Sequence, residues 1–168
     1  MKKLGKSSKK GFTLVELIVV LVILAVLAAM LVPALVGYID KAKKEKEFQT
    51  ASTVYAAAQA VITEAYGKND ISDKTGTLTN KGFGTDTSDA KGYGKEVLDL
   101  AGVDTKAVTG FNFTYGKTST TTGGSTTTSG GDYVINGGYV DVSGYRYKLT
   151  IDTATGAPSW TSGDIPTT

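Results

Sequence analysis

A few residues near the N-terminus have types and spacing that could do chemistry. Lys10 and Gly11 end a basic leader, Phe12 opens an apolar run, and Glu16 is the one carboxylate inside it, with no charge from Leu17 to Ile39. A carboxylate beside a membrane-length apolar segment is costly unless donors or a cation meet it. Two partners are open to Glu16. Thr13 lies three residues earlier, which is the Thr-x-x-Glu spacing of a capping box. A cut after Gly11 would create an ammonium at Phe12, about one helical turn away. Pairing of that ammonium with Glu16 of a neighbouring helix would offset the burial of both charges and fix the axial register between copies. The chemistry these residues suggest is charge pairing and helix capping rather than catalysis.

The rest of the composition points the same way. The 168 residues include no cysteine and no histidine. That removes disulfides, thiolate metal sites, the commonest general base and the commonest metal ligand. A hydrolase would need a Ser/Lys pair or paired carboxylates. The serines and aspartates here sit in Gly-rich stretches without the strand–turn–helix context of a nucleophile elbow. Asn69–Asp73 and Asp86–Asp89 offer oxygen ligands, but neither has EF-hand spacing, so they read as solvated loop acids. We expect no enzyme, no cofactor and no metal. Five lysines precede Gly11, which leaves 13 basic against 16 acidic side chains beyond it. The bulk of the chain therefore has no nucleic-acid footprint, and the basic leader marks a cytoplasmic N-terminus.

The elements that must position the junction follow from periodicity. As a helix, Leu17–Ile39 would span about 35 Å, enough for a hydrocarbon core of about 30 Å. Pro33, with Gly37 behind it, predicts a kink in that helix. No breaker interrupts Asp40–Glu47, so the helix is expected to continue to about Tyr66. Phe48, Ala51, Val54, Tyr55, Ala58, Val61, Ile62 and Ala65 form an apolar stripe suited to packing on a sheet. Ala56, Ala57 and Ala60 lie among Ser52, Thr53, Gln59 and Thr63 on the other face, a smooth surface open to neighbouring subunits or simply a run of good helix formers. Gly67 is the expected C-cap. Residues 67–106 read as loop with one short helix at Lys95–Ala101. Val108–Tyr115, Asp132–Asn136, Tyr139–Val142 and Tyr145–Asp152 read as strands, joined by turns at Asn136-Gly137-Gly138 and Ser143-Gly144. Thr118–Gly131 is nearly all Thr, Ser and Gly and reads as a surface loop, and Trp160 is expected to pack under the sheet. The fold class is α+β, a long N-terminal helix packed on a small antiparallel sheet. The organisation is a leader at 1–11, a membrane or filament-core helix at 12–39, and a head at 40–168 divided into helix 40–66, loop 67–106 and sheet 107–168.

Lys10, Gly11, Phe12, Thr13, Leu14, Val15, Glu16 and Leu17 together resemble the prepilin signal of type IV pilins and related pseudopilins, most like a major type IVa-like pilin. The resemblance covers Lys10–Pro33 closely and continues in architecture, the pilin fold, to about Tyr66. It implies that a prepilin peptidase cuts between Gly11 and Phe12 and N-methylates Phe12. It implies that Glu16 serves assembly and register and that Pro33 sits where the family places its helix kink. Ala25 stands where many members have glycine, and the missing cysteines depart from members whose C-terminal loop is stapled by a disulfide.

The implied function is a structural subunit of a type IV pilus, polymerised through its N-terminal helix. Its partners would be further copies in a helical homopolymer, the prepilin peptidase, the pilus assembly platform and minor pilins, and the membrane before assembly. The precursor would be a single-pass membrane protein and the product an extracellular filament. A minor pilin or a pseudopilin of a secretion or competence machine is the alternative within the family. A plain membrane-anchored surface protein explains the length and the lysines but not Gly11-Phe12 with Glu16. A secretory signal peptide has a shorter apolar region and no acid in it.

Overall fold

The computed structural model describes residues 11–83, 91–122, 125–129, 131–152 and 155–166. The chain divides into two compact units, Met1–Lys44 and Glu45–Thr168. One helix, α1 (Leu14–Gly67), contributes to both.

In the first unit every described residue is exposed. Leu14, Leu17, Ile18, Leu21, Ile23, Leu27, Leu31 and Leu35 bury nothing against their own chain. The helix is long and apolar enough to cross a membrane, and an all-round apolar helix of this kind requires an apolar medium or other helices around it. Pro33 lies inside α1. It has no N–H, so the Ala29 carbonyl loses its helical donor there.

The second unit is built on the remaining turns of α1. Glu47, Ala51, Val54, Ala57, Ala58, Val61, Ile62 and Ala65 are buried, at the i, i+4, i+7 spacing of one helix face. That face meets a six-stranded sheet of β1 (Gly76–Thr79), β2 (Gly82–Phe83), β3 (Val108–Tyr115), β6 (Ile135–Val142), β7 (Tyr145–Ile151) and β8 (Pro158–Asp164). The strand order is β2-β1-β3-β6-β7-β8, with every pairing antiparallel. Alternate residues Phe111, Phe113 and Tyr115 of β3, Val140 and Val142 of β6, and Tyr147 and Leu149 of β7 complete the core, the period-2 pattern of a half-buried sheet. A short helix, α2 (Tyr93–Ala101), lies beside the β1–β2 hairpin. β4 (Thr118–Thr122) and β5 (Ser125–Ser129) form a separate two-stranded sheet.

Two side chains of α1 lock it onto the sheet by hydrogen bonds. Gln59 Nε2 donates to the Tyr133 carbonyl at 2.9 Å, and its Oε1 accepts from the Ile135 N–H at 2.8 Å. The amide thereby imitates a strand neighbour at the start of β6. The Tyr147 hydroxyl donates to Glu47 Oε2 at 3.0 Å in a buried contact. Trp160 packs edge-on against Phe48 and Tyr55, with ring centroids 6.2 and 6.1 Å away.

Several expectations are corrected. Gly67 is not the left-handed cap. Asn69 takes positive φ, its N–H bonds the Tyr66 carbonyl, and the Asp70 N–H bonds the Ala65 carbonyl, a Schellman ending two residues later. The interval 67–106, expected as loop and one helix, also carries β1 and β2. Leu78 is their one buried apolar residue with a described side chain, too little for a local pattern, and pairing with β3 holds them. Asp132–Asn136 and Tyr139–Val142 are not two strands joined by a turn. Residues 135–142 are one strand, in which Thr114 pairs with Gly137 and Tyr115 with Ile135, so Asn136 is a bulge. Thr118–Gly131, expected as a loop, contains β4 and β5 because threonine favours extended backbone. β8 was not expected. Its burial alternates weakly, with Trp160 alone half-buried among exposed neighbours. Ala57 is buried rather than part of the outer alanine face, while Ala56 and Ala60 are exposed.

Candidate functional site

The junction is built by the start of α1. Gly11, Phe12 and Thr13 are non-helical and exposed, and helix begins at Leu14. Thr13 is the N-cap, and the side chain three residues on returns the contact. The Glu16 N–H donates to Thr13 Oγ1 at 3.3 Å. Glu16 Oε2 accepts from the Thr13 N–H at 2.8 Å and from the Thr13 hydroxyl at 2.7 Å. This is the reciprocal capping box that the Thr13/Glu16 spacing predicts, with the carboxylate at the positive end of the helix macrodipole. The Leu17 N–H closes the first turn on the Thr13 carbonyl at 3.3 Å.

The consequence is an ordered helix start directly after an exposed, non-helical peptide bond. Phe12 is 83% exposed, and no atom comes within 4 Å of where a Gly11 Cβ would stand. The structure thus brings Gly11, Phe12 and Glu16 into one short stretch, while Pro33 lies about 25 Å along the helix from Glu16 at 1.5 Å per residue. Lys10 and the other leader lysines lie outside the described residues.

The head holds charged clusters that sequence reasoning left as loop acids or missed. Asp70 accepts from Lys91 Nζ at 2.8 Å and from the Tyr93 hydroxyl. These contacts hold the Asp70 carboxyl below the usual carboxylate range, the Lys91 bond contributing most. Burial, helped by Asp70, pushes the Tyr93 phenol up to about 12. Asp141 and Arg146 form a two-pronged pair, Nε to Oδ1 at 2.7 Å and Nη2 to Oδ2 at 2.8 Å. The guanidinium sits 3.7 Å from the centre of the Tyr139 ring. Glu47, the acid at the buried face of α1, was missed. Its spacing to Ala51 and Val54 was the available signal, because it continues the apolar stripe by one turn. Asp86–Asp89 lie outside the described residues, and among those described no group of three acids could hold a metal ion.

With this geometry in view, residues 6–32 match the family model described as the prokaryotic N-terminal methylation motif. No curated protein and no solved structure matches the chain. The matched segment contains Gly11, Phe12, Thr13 and Glu16 and ends one residue before Pro33. Residues 6–32 thus carry the class III signal that marks type IV pilins and pseudopilins.

Proposed function

We propose that this chain is a structural subunit of a type IV pilus, made as a membrane-anchored precursor and polymerised through α1. In this reading a prepilin peptidase cuts between Gly11 and Phe12 and methylates the new amino terminus. The observation that carries it is the methylation motif standing on an exposed, non-helical Gly11–Phe12 bond immediately before a capped helix that carries no charge from Leu17 to Ile39. In the membrane, lipid covers that helix. In the filament, neighbouring copies of α1 replace the lipid, so the apolar surface stays out of water and the exchange is nearly neutral in burial. Extraction from the bilayer then falls to the assembly platform, with minor pilins as further partners. Glu16 in the filament exchanges its capping donors for the Phe12 ammonium of a neighbour and sets the register. Pro33 marks the helix weak point. The reading is of a scaffold protein, not an enzyme.

Gly11→Ala tests the cut. The variant should stay as a longer, membrane-bound chain with Met1 or its formyl form at the N-terminus by mass analysis. The unaltered chain should begin at N-methylated Phe12. Normal maturation of the variant would remove the cleavage step from this reading. Immunolabelled surface filaments separate a shaft subunit, labelled along the length, from a minor pilin or pseudopilin.

A further inference from the structure

The six-stranded sheet ends in an open edge. β8 pairs with β7 from Tyr145↔Asp164 to Ile151↔Pro158 without a register shift, and among the described residues no strand lies on its other side. Which main-chain groups face out follows from the β6–β7 turn. Val142 pairs with Tyr145 across Ser143-Gly144, both at positive φ. In such a two-residue turn the closing pair exchanges both hydrogen bonds, and the pattern alternates from there. Tyr145, Tyr147 and Leu149 therefore bond to β6, and Lys148 and Thr150 bond to β8 through their partners Thr161 and Ser159. Trp160 and Ser162 are left with N–H and C=O directed at the open edge.

Natural edge strands are blunted by charge, proline or a bulge. Here Pro158 and Asp164 stand only at the ends, and Ser159–Gly163 carry none of these. A second set of open edges lies on the same chain. β4 and β5 pair only with each other among the described residues, in register from Thr118↔Ser129 to Thr122↔Ser125. Their ten residues are all Ser or Thr. A lone two-stranded hairpin is marginal in water and gains from a further strand. Neither the hairpin strands nor Ser159–Gly163 carry a charge, and five-residue strands fit within the seven-residue β8.

We propose that the open edge of β8 is an interaction surface for a second copy of this chain, whose β4–β5 hairpin adds to it as a further strand through the outward main-chain groups of Trp160 and Ser162. The proposal rests on the filament reading above and adds a contact between heads to the packing of helices. β8 on one copy and the hairpin on the next are different surfaces, so the contact is head-to-tail and propagates. A β8–β8 pairing would be two-fold and would stop at a dimer.

The absence of cysteine makes the test direct. Copies carrying Thr161→Cys are coassembled with copies carrying Thr120→Cys or Thr127→Cys, and the filaments are mildly oxidised. Residues opposed across adjacent strands have Cα atoms about 4.5–5.5 Å apart, within disulfide reach. Cross-linked dimers are expected with at least one of the two, and none with Asp104→Cys copies. Adding Ser162→Pro should abolish the cross-link while the subunit stays folded and processed, since the lost N–H bonds nothing in β7. Filaments without the cross-link, Thr161→Cys copies joined only to each other, or a cross-link unchanged by Ser162→Pro would each overturn the proposal. If the unaltered chain forms no filament, the filament reading itself fails and the proposal falls with it.

Discussion

At Glu16 one carboxylate oxygen accepts two hydrogen bonds from Thr13. Capping and charge pairing predict different costs for its loss. A helix cap is worth about 0.5–2 kcal/mol, which a 54-residue helix in an apolar medium tolerates. Leaving one member of a buried ion pair without its partner costs about 3–5 kcal/mol, enough to stop assembly. Glu16→Gln separates them, because the amide oxygen still accepts from Thr13 but carries no charge. We predict cleavage at Gly11 and helix content as in the unaltered chain, with filaments lost, read by mass analysis and electron microscopy. Filaments of normal number and length would assign Glu16 to capping alone. The box itself was legible in the sequence, because both partners lie within one helical turn. Glu47 offered only the one-turn continuation of the apolar stripe, and its hydrogen-bond partner Tyr147 lies a hundred residues later.

At the level of elements, β3 and the second half of α1 were legible because strict alternation and a helical stripe each bury one face. What failed depended on distant backbone. Asn136-Gly137-Gly138 has the composition of a turn, yet Gly138 lies in mid-strand with φ of 148°. A Cβ there would stand 2.3 Å from the Asn112 carbonyl oxygen and 2.8 Å from the Phe113 Cα. The glycine is a close-approach residue between β3 and β6, and no local pattern distinguishes that from a turn. Asn136 completes the bulge, donating through Nδ2 to the Gly116 carbonyl and accepting from the Thr114 hydroxyl, both at 2.6 Å. Gly138→Ala forces backbone against backbone, so we predict a loss of about 3 kcal/mol in the head, measured by urea unfolding of the detergent-solubilised chain. Gly137→Ala at the neighbouring position, where the nearest atoms are 3.6 Å or more away, should cost far less. Equal losses would refute the close-approach argument.

For the whole molecule, the two units differ in what holds them folded, and alkaline titration should melt one without the other. The first unit buries nothing within the chain, so its helix depends on the surrounding apolar medium. The second depends on its core, in which two phenols are held neutral. Tyr147 is pushed up to about 12, by burial first and then by the Glu47 carboxylate, and Tyr93 reaches about 12 by burial first and then Asp70. In the unfolded chain both ionise near 10. Between these values the folded head retains protons that the unfolded chain releases, so raising the pH favours unfolding. Their contribution is complete below pH 10 and is lost progressively as the pH climbs toward 12. Trp160, the single tryptophan, packs on Phe48 and Tyr55 within the second unit and reports that unit alone. In detergent micelles we predict a shift of Trp160 fluorescence and loss of near-ultraviolet dichroism across this window, with much of the helical far-ultraviolet signal retained. Tyr147→Phe removes one titrating group and should make the alkaline loss shallower. At neutral pH it costs about 1–3 kcal/mol, because the buried Glu47 carboxylate loses that donor. A single transition in which helix and tryptophan signals vanish together would show that the head, rather than the apolar medium, holds α1 helical.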